Sequence, residues 1–215
     1  MFELSLHILD ILENSLRAGA DRIEISILES TERDLLEIIV VDDGEGMEKE
    51  LEEKALDPFT TTKKKRKQVG LGLPLFKALA EHCDGNFSLR SEPSEGTEVA
   101  ARFRRSHIDR PPLGEMAATV ISVLSGHPKV ELVYNHDADD QNYNLDTQEI
   151  QEYLDQKDLN DPRVLQTVKR DLHENLQEIR PPEYLGESAE DKFLNDMNDM
   201  EDIEQYSSLS EGGGK

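Results

Sequence analysis

The sequence predicts an α+β fold. The first half reads as a two-layer sandwich with helices on one face of a sheet, followed by a small α+β domain and an acidic tail. Three observations carry this. Hydrophobic periodicity over the first 105 residues runs helix–strand–strand–helix–helix–strand–strand. The run Arg110-Pro111-Pro112 then breaks the pattern, and a second, shorter set of helices and strands follows. Charge is also uneven. Residues 1–105 hold 15 Lys+Arg against 22 Asp+Glu, whereas the remaining 110 residues hold 9 against 25.

The elements follow in order. Leu4, Ile8, Ile11, Leu12 and Ser15 fall on one side of a helix over 4–17, and Gly19 stands at its C-cap. Ile23, Ile25 and Ile27 alternate as a half-buried strand over 22–28. Residues 35–41 form a nearly continuous apolar run, a more buried strand that Asp42-Asp43-Gly44-Glu45-Gly46 ends sharply. A short helix is expected over 49–56. Residues 58–68 lack apolar periodicity and include five successive cations, Lys63 to Lys67. A helix entered through glycines covers 70–83, and residues 86–91 and 97–105 alternate as two strands. Past the proline break, 116–124 reads as a helix and 130–134 as a strand. Residues 143–145 read as a further strand, Asp146 as the cap of the next helix, and 162–179 as an amphipathic helix. Leu165, Val168, Leu172 and Leu176 make a stripe that is either packed on this part of the chain or turned to a partner. The division expected is therefore residues 1–108, a small domain over 113–180, and an acidic tail over 181–215. The tail's composition predicts disorder or binding to a partner.

Composition excludes several functions. A net charge of -23 argues against broad binding to nucleic acid or anionic membrane. No apolar run approaches the roughly 18 residues of a membrane span. The first ten residues lack the basic segment of a signal peptide, so a cytoplasmic protein is expected. A single cysteine, Cys83, can neither close an internal disulfide nor ligate a cysteine-held metal cluster. His7, His82, His107, His127 and His136 show no paired metal-ligand spacing and read as structural or solvated, and His173 reads as an ordinary helix-surface histidine.

Four local features carry chemistry. Asp10 and Asn14 are four apart, so a carboxylate and an amide oxygen project from one helix face. Both are hard donors, suited to Mg²⁺ and to an activated hydroxyl. Asp42 closes a buried strand, where a carboxylate can accept from an amine, and Gly44 and Gly46 beside it remove side chains that would obstruct a flat base. Gly70-Leu71-Gly72 opens a helix, whose free N–H groups and dipole favour phosphate, with Thr60, Thr61, Thr62 and Lys63 as further donors. Gly96-Thr97 begins the last strand with a hydroxyl. Each alone has an ordinary alternative: a polar stripe, a tight turn, a solvated loop, a strand start. Neither a Walker motif nor a GxGxxG is present.

Taken in order, the four resemble the GHKL superfamily, the ATP fold shared by gyrase, Hsp90, histidine kinases and MutL. Leu12-Glu13-Asn14-Ser15-Leu16-Arg17-Ala18-Gly19-Ala20 is similar to the N box, in MutL-like wording. Asp42 to Met47 is similar to the DxGxG box. Asp57-Pro58-Phe59-Thr60-Thr61-Thr62-Lys63 is similar to the F box of histidine kinases. Val69 to Leu73, with Ser91-Glu92-Pro93 and Gly96-Thr97, resembles their second glycine box and last strands, although Gln68 departs from it. The resemblance implies a Bergerat-type sandwich that binds Mg²⁺ and ATP. It implies Asn14 as the Mg²⁺ ligand, Asp42 as the adenine reader and Thr97 as its water-mediated helper. Gly44, Gly46 and Met47 would lie at the base pocket. Thr62, Lys63, Gly70, Leu71 and Gly72 would lie near the phosphates, and Asp10 would be the catalytic carboxylate.

Two uses of ATP are open at this level. One is a stand-alone regulatory ATPase or serine/threonine protein kinase resembling anti-sigma-factor kinases. With Met1 so close to the first helix, the acceptor hairpin that precedes a histidine kinase's ATP domain is not expected. The other is a non-kinase accessory subunit that gates assembly or activity of a larger complex, such as a hydrogenase-type redox enzyme. Either implies a protein partner met through the C-terminal half, with the chain a homodimer or a subunit of that complex.

Overall fold

The computed structural model describes residues 3–57, 72–154 and 159–179. The expected acidic tail over 181–215 lies outside them. Six strands form one mixed sheet in the order β3-β4-β2-β1-β5-β6. In chain order the elements are α1 (Leu4–Arg17), β1 (Arg22–Ser30), β2 (Leu35–Asp42), α2 (Lys49–Ala55), α3 (Gly72–His82), β3 (Asn86–Glu92), β4 (Gly96–Arg104), α4 (Met116–Gly126), β5 (Glu131–Ala138), β6 (Gln141–Asp146), α5 (Thr147–Tyr153) and α6 (Pro162–Ile179). The α+β sandwich expected from the periodicity is the one observed.

Local chemistry accounts for most boundaries. α1 buries Leu4, Ile8, Ile11 and Leu12. It ends in a Schellman turn: Gly19, at φ +75°, donates its N–H to the Leu16 carbonyl, and Ala20 donates to Ser15. β1 turns Ile23, Ile25 and Ile27 into the core at every second position. Asp146 caps α5 by accepting the Gln148 N–H at 2.8 Å.

Residues 113–179, read from the sequence as a separate small domain, extend the same sheet. β5 pairs with β1 in parallel register, Ile25 opposite Tyr134, and β6 adds antiparallel to β5. The segment after the prolines is tied to α1, where Leu4 and Ser5 donate their N–H groups to the Pro112 and Leu113 carbonyls at 3.0 and 2.8 Å. These bonds satisfy two of the free donors at the start of α1. α4 then packs on α1, and α6 packs on α4 and β6. The apolar stripe of α6 (Val164, Val168, Leu172, Leu176, Ile179) is buried in this layer, which settles its orientation toward the chain itself. One hydrophobic cluster runs from Leu4 through Ile25 and Leu132 to Leu176.

Two histidines are core residues. His136 is fully buried, 3.0 Å from Glu29 Oε1 through Nε2 and 2.9 Å from the Tyr134 hydroxyl through Nδ1, so a polar chain links β1 and β5 inside the core. His7 stacks on Phe76 of α3 at 5.2 Å, and among the described residues its buried Nδ1 has no hydrogen-bond partner. Burial holds the His7 pKa below the ordinary histidine value. Among the described residues no helix is long and apolar enough to cross a membrane.

Two outcomes follow. Leu172→Ala should cost about 2–5 kcal/mol in urea unfolding and lower the stability of the whole sheet in one transition, because α6 shares the common core; two separable transitions would contradict that sharing. The unfolded chain protonates His7 at its ordinary pKa while the folded chain resists it, so stability is retained above about pH 6.5 and falls as pH drops below it. His7→Phe should therefore raise the melting temperature more at pH 5 than at pH 8.

Candidate functional site

The site is built around the C-terminal half of α1 and the end of β2. Asp42 closes β2 with 7% of its surface exposed. Its Oδ2 accepts the Ser15 hydroxyl at 2.6 Å, and its Oδ1 accepts the Gly44 N–H at 3.0 Å. A carboxylate removed from water needs such donors, and an ionised one retains further acceptor capacity. Ser15 was not singled out as a site residue from the sequence. The signal was a hydroxyl at the end of an otherwise apolar stripe, since a buried polar atom there requires a partner.

Beside Ser15 on α1, Asn14 donates from Nδ2 to Oδ2 of Asp10, one turn back, at 3.5 Å. This long contact leaves the Asn14 Oδ1 uncommitted to Asp10. Asp10 also abuts α3: a side chain added at Gly72 would place its Cβ 1.7 Å from Asp10 Oδ2. Glycine at the start of α3 is therefore what lets the helix approach this carboxylate.

The loop after Asp42 is held from three sides. Asp43 Oδ1 accepts the N–H groups of Asp21 and Arg22 at 2.8 and 2.9 Å. Glu45 donates its N–H to the Ala18 carbonyl, and Ser94 donates to that of Glu45. A Cβ on Gly44 would meet Ala18 Cβ at 2.9 Å. One on Gly46, at φ +62°, would lie 1.9 Å from the Glu92 carbonyl oxygen. Gly96, at φ +102°, would similarly strike the Asp42 carbonyl oxygen at 1.8 Å. Gly46 and Gly96 bring the 42–47 loop and the β3–β4 turn together backbone to backbone, while Gly44 faces Ala18 at the end of α1, requirements the sequence reading did not include. Met47 is half-buried against the core.

Thr97 stands opposite Asp42 across β2 and β4, and opposite Ser91 across β4 and β3. The structure thus brings Asp10, Asn14, Asp42, Gly44, Gly46, Met47, Gly72 and Thr97 onto α1, the β2 end and the elements directly joined to them. Thr62, Lys63, Gly70 and Leu71 lie outside the described residues. Among the described residues no group of three or more His, Cys, Asp or Glu is placed to hold a metal by itself. A concavity of about 400 Å³ lies at the other end of β2, near Arg33 and Leu35. Its Arg104 is bound to Asp34 and Asp84, and its Arg102 to Glu37, so these guanidinium charges are already matched.

A helix carrying an Asp–Asn pair thus packs beside a strand whose end holds a buried Asp before a glycine loop. Residues 3–107 match the family model for histidine kinase-, DNA gyrase B-, and HSP90-like ATPases, and this half of the chain is a domain of that family. The alginate biosynthesis sensor protein KinB of Pseudomonas aeruginosa is 32% identical over 94 residues, covering 44% of this chain and 15% of that protein. The non-motile and phage-resistance protein of Caulobacter vibrioides is 31% identical over 111 residues, covering 48% of this chain and 13% of that protein. The chain thus spans a small part of the length of both. The solved Aquifex aeolicus MutL ATPase domain complexed with ADP aligns with a TM-score of 0.43 at 16% identity, over 64% of this chain and 61% of that one.

Ser15→Ala should cost about 1–3 kcal/mol of stability, the scale of a buried acceptor losing its donor. Chemical denaturation measures it. A loss below about 0.5 kcal/mol, the level of an ordinary surface change, would show that Asp42 does not depend on the hydroxyl.

Proposed function

We propose that the chain is a regulatory protein that binds ATP with Mg²⁺ and passes the terminal phosphoryl group to a serine or threonine hydroxyl of a protein partner. The observation that carries the nucleotide reading is Asp42, a buried carboxylate clamped by Ser15 and the Gly44 N–H. In this reading its remaining acceptor capacity meets the adenine amine, and Thr97 assists from the neighbouring strand. Asn14 Oδ1 is the protein's ligand to Mg²⁺. That ion takes one or two protein oxygens and completes its shell with phosphates and water, which suits an amide oxygen beside a single carboxylate. When bound, it neutralises charge on the phosphates. Asp10 accepts the proton of the attacking hydroxyl as the phosphorus–oxygen bond to ADP breaks. Gly72, with Thr62, Lys63, Gly70 and Leu71, contributes donors at the phosphate end.

The protein partner is met through the C-terminal half, with the acidic residues beyond 180 seeking a basic surface. Exposed charge attraction of this kind is screened within about 8–10 Å at physiological salt. Truncation after Pro182 should leave ATP affinity unchanged and weaken partner capture, with added salt having the same effect. Incubation with γ-labelled ATP and native extract separates the two uses of ATP. Label on a partner protein supports the kinase. Phosphate released to solvent alone supports the accessory subunit that gates a larger complex.

Asp42→Asn should lower ATP affinity about tenfold to a hundredfold in calorimetry while the circular dichroism spectrum stays native, the scale of one charge-assisted hydrogen bond. Unchanged affinity would refute the assignment of the base site. Asp10→Asn should bind ATP within a few-fold of the wild type yet turn over about 10²-fold more slowly. Asn14→Ala should lose the Mg²⁺ dependence of binding.

A further inference from the structure

Successive residues of a strand point to opposite faces of a sheet, and the two faces of this one differ. Val99, Val40, Ile25 and Tyr134 lie side by side on the helical face, and none is more than 3% exposed. One residue along, the row Glu98, Val41, Glu24 and Val133 points the other way. Val41 is 40% exposed there, although β2 is a central strand with β4 and β1 on either side. No described element therefore covers the middle of this face. Cover begins only at the start of β5, where α5 packs and Val133 is 7% exposed.

The chain carries a net charge of -23, so two copies repel each other over most of their surface. The open face is different. Its guanidinium groups are matched across the strands, Arg90 with Glu98, Arg102 with Glu37 and Arg22 with Glu131. Glu24 accepts from Asn135 Nδ2 at 3.4 Å, which leaves Asp137 toward the end of β5. Among the pairs lie Val41, Ile39, Leu28 and Ala100, with Ile39 opposite Ala100 on one side and Ser26 on the other. Asn135 and Asn144 continue that row with amides that both donate and accept. Apolar groups, amides and internally neutralised pairs can meet their own kind without setting like charges opposite each other. The uncovered area is roughly 600 Å² per copy from strand spacing and rise. Two copies would bury about 1,200 Å², the lower limit of a specific interface.

We propose that this open face is the contact between two copies of the chain, packed sheet on sheet about a twofold axis with Val41 near its centre. Asp42, the next residue, points to the opposite face, so the two copies carry their candidate sites outward.

Sedimentation velocity of the full chain from about 1 to about 500 µM reads the association. A dimer is expected with a dissociation constant on the order of micromolar, as the small area implies. Raising sodium chloride from about 0.05 to about 0.5 M should tighten it, because salt screens the repulsion between the acidic copies. Val41→Glu and Val41→Lys should each weaken the dimer at least about tenfold. They move the net charge in opposite directions, so a shared loss reports the face and not repulsion at a distance. Arg102→Glu, at an exposed position, sets two carboxylates side by side on the face and should weaken the dimer as well. It carries the comparison if melting curves show that the Val41 variants fail to fold. Ile108→Glu, 95% exposed in the loop after β4, should dimerise like the wild type. A chain that stays monomeric throughout overturns the proposal and leaves the face to a different protein. So does a dimer that keeps its affinity in the folded face variants, since its contact then lies elsewhere. A dimer that salt dissociates also overturns it, since exposed charge attraction then holds the copies together.

Discussion

The bond from Ser15 to Asp42 holds the site to the fold. It joins a helix to the end of a central strand, across 27 residues, at 2.6 Å and out of contact with water. Without it, the Gly44 N–H would be the remaining donor to this buried carboxylate among the described residues. With it, α1 is tied to β2, and the candidate residues Asp10 and Asn14 on the same helix take their place from that attachment. Asp10 and Asn14 lie on the same helix at fixed angular offsets from Ser15, so the helix that neutralises the burial cost of Asp42 also positions the pair beside it.

α1 is consequently the member on which both halves of the chain converge. Its first turn is bonded by the carbonyls of Pro112 and Leu113, α4 packs along it, His7 stacks on Phe76 of α3, and its last turn feeds the loop at Glu45 through the Ala18 carbonyl. α4 packs on α1, the helix that carries Asp10, and α6 packs on α4. This arrangement gives residues 113–179 a physical route to the site even though they contribute none of its candidate residues.

Much of this was legible in the sequence where the determinants are local. Apolar spacing placed α1 and α6, alternation placed β1, and the chemistry of Gly19 and Asp146 placed a helix end and a helix start. The candidate residues also came from local signals: Asp10 with Asn14 by helical spacing, Asp42 by its place at the end of an apolar run. What escaped were relations between distant segments. The break at Arg110-Pro111-Pro112 reads the same whether it separates two domains or carries the chain to a new strand of one sheet, and only the pairing of Ile25 with Tyr134 decides between them. Gly96 looked like an ordinary strand start, because its need for a missing side chain arises from the Asp42 backbone more than fifty positions earlier. Ser15 was visible as a member of a buried stripe, but its partner was not.

The parallel pairing of β1 with β5 also bears on how the chain is made. β1 is complete by Ser30, yet the strand that covers its second edge begins at Glu131. A chain emerging from the ribosome at about 5–20 residues per second exposes that edge for several seconds while the intervening hundred residues are synthesised. β2 can pair at once across a short turn, whereas β5 must close a long loop, which is slow for entropic reasons. The open edge is alternately apolar and polar, the kind of strand that recruits another chain. Nascent copies on neighbouring ribosomes are therefore most vulnerable to mispairing at Arg22–Ser30, and the vulnerability ends only when Ala138 has cleared the exit tunnel.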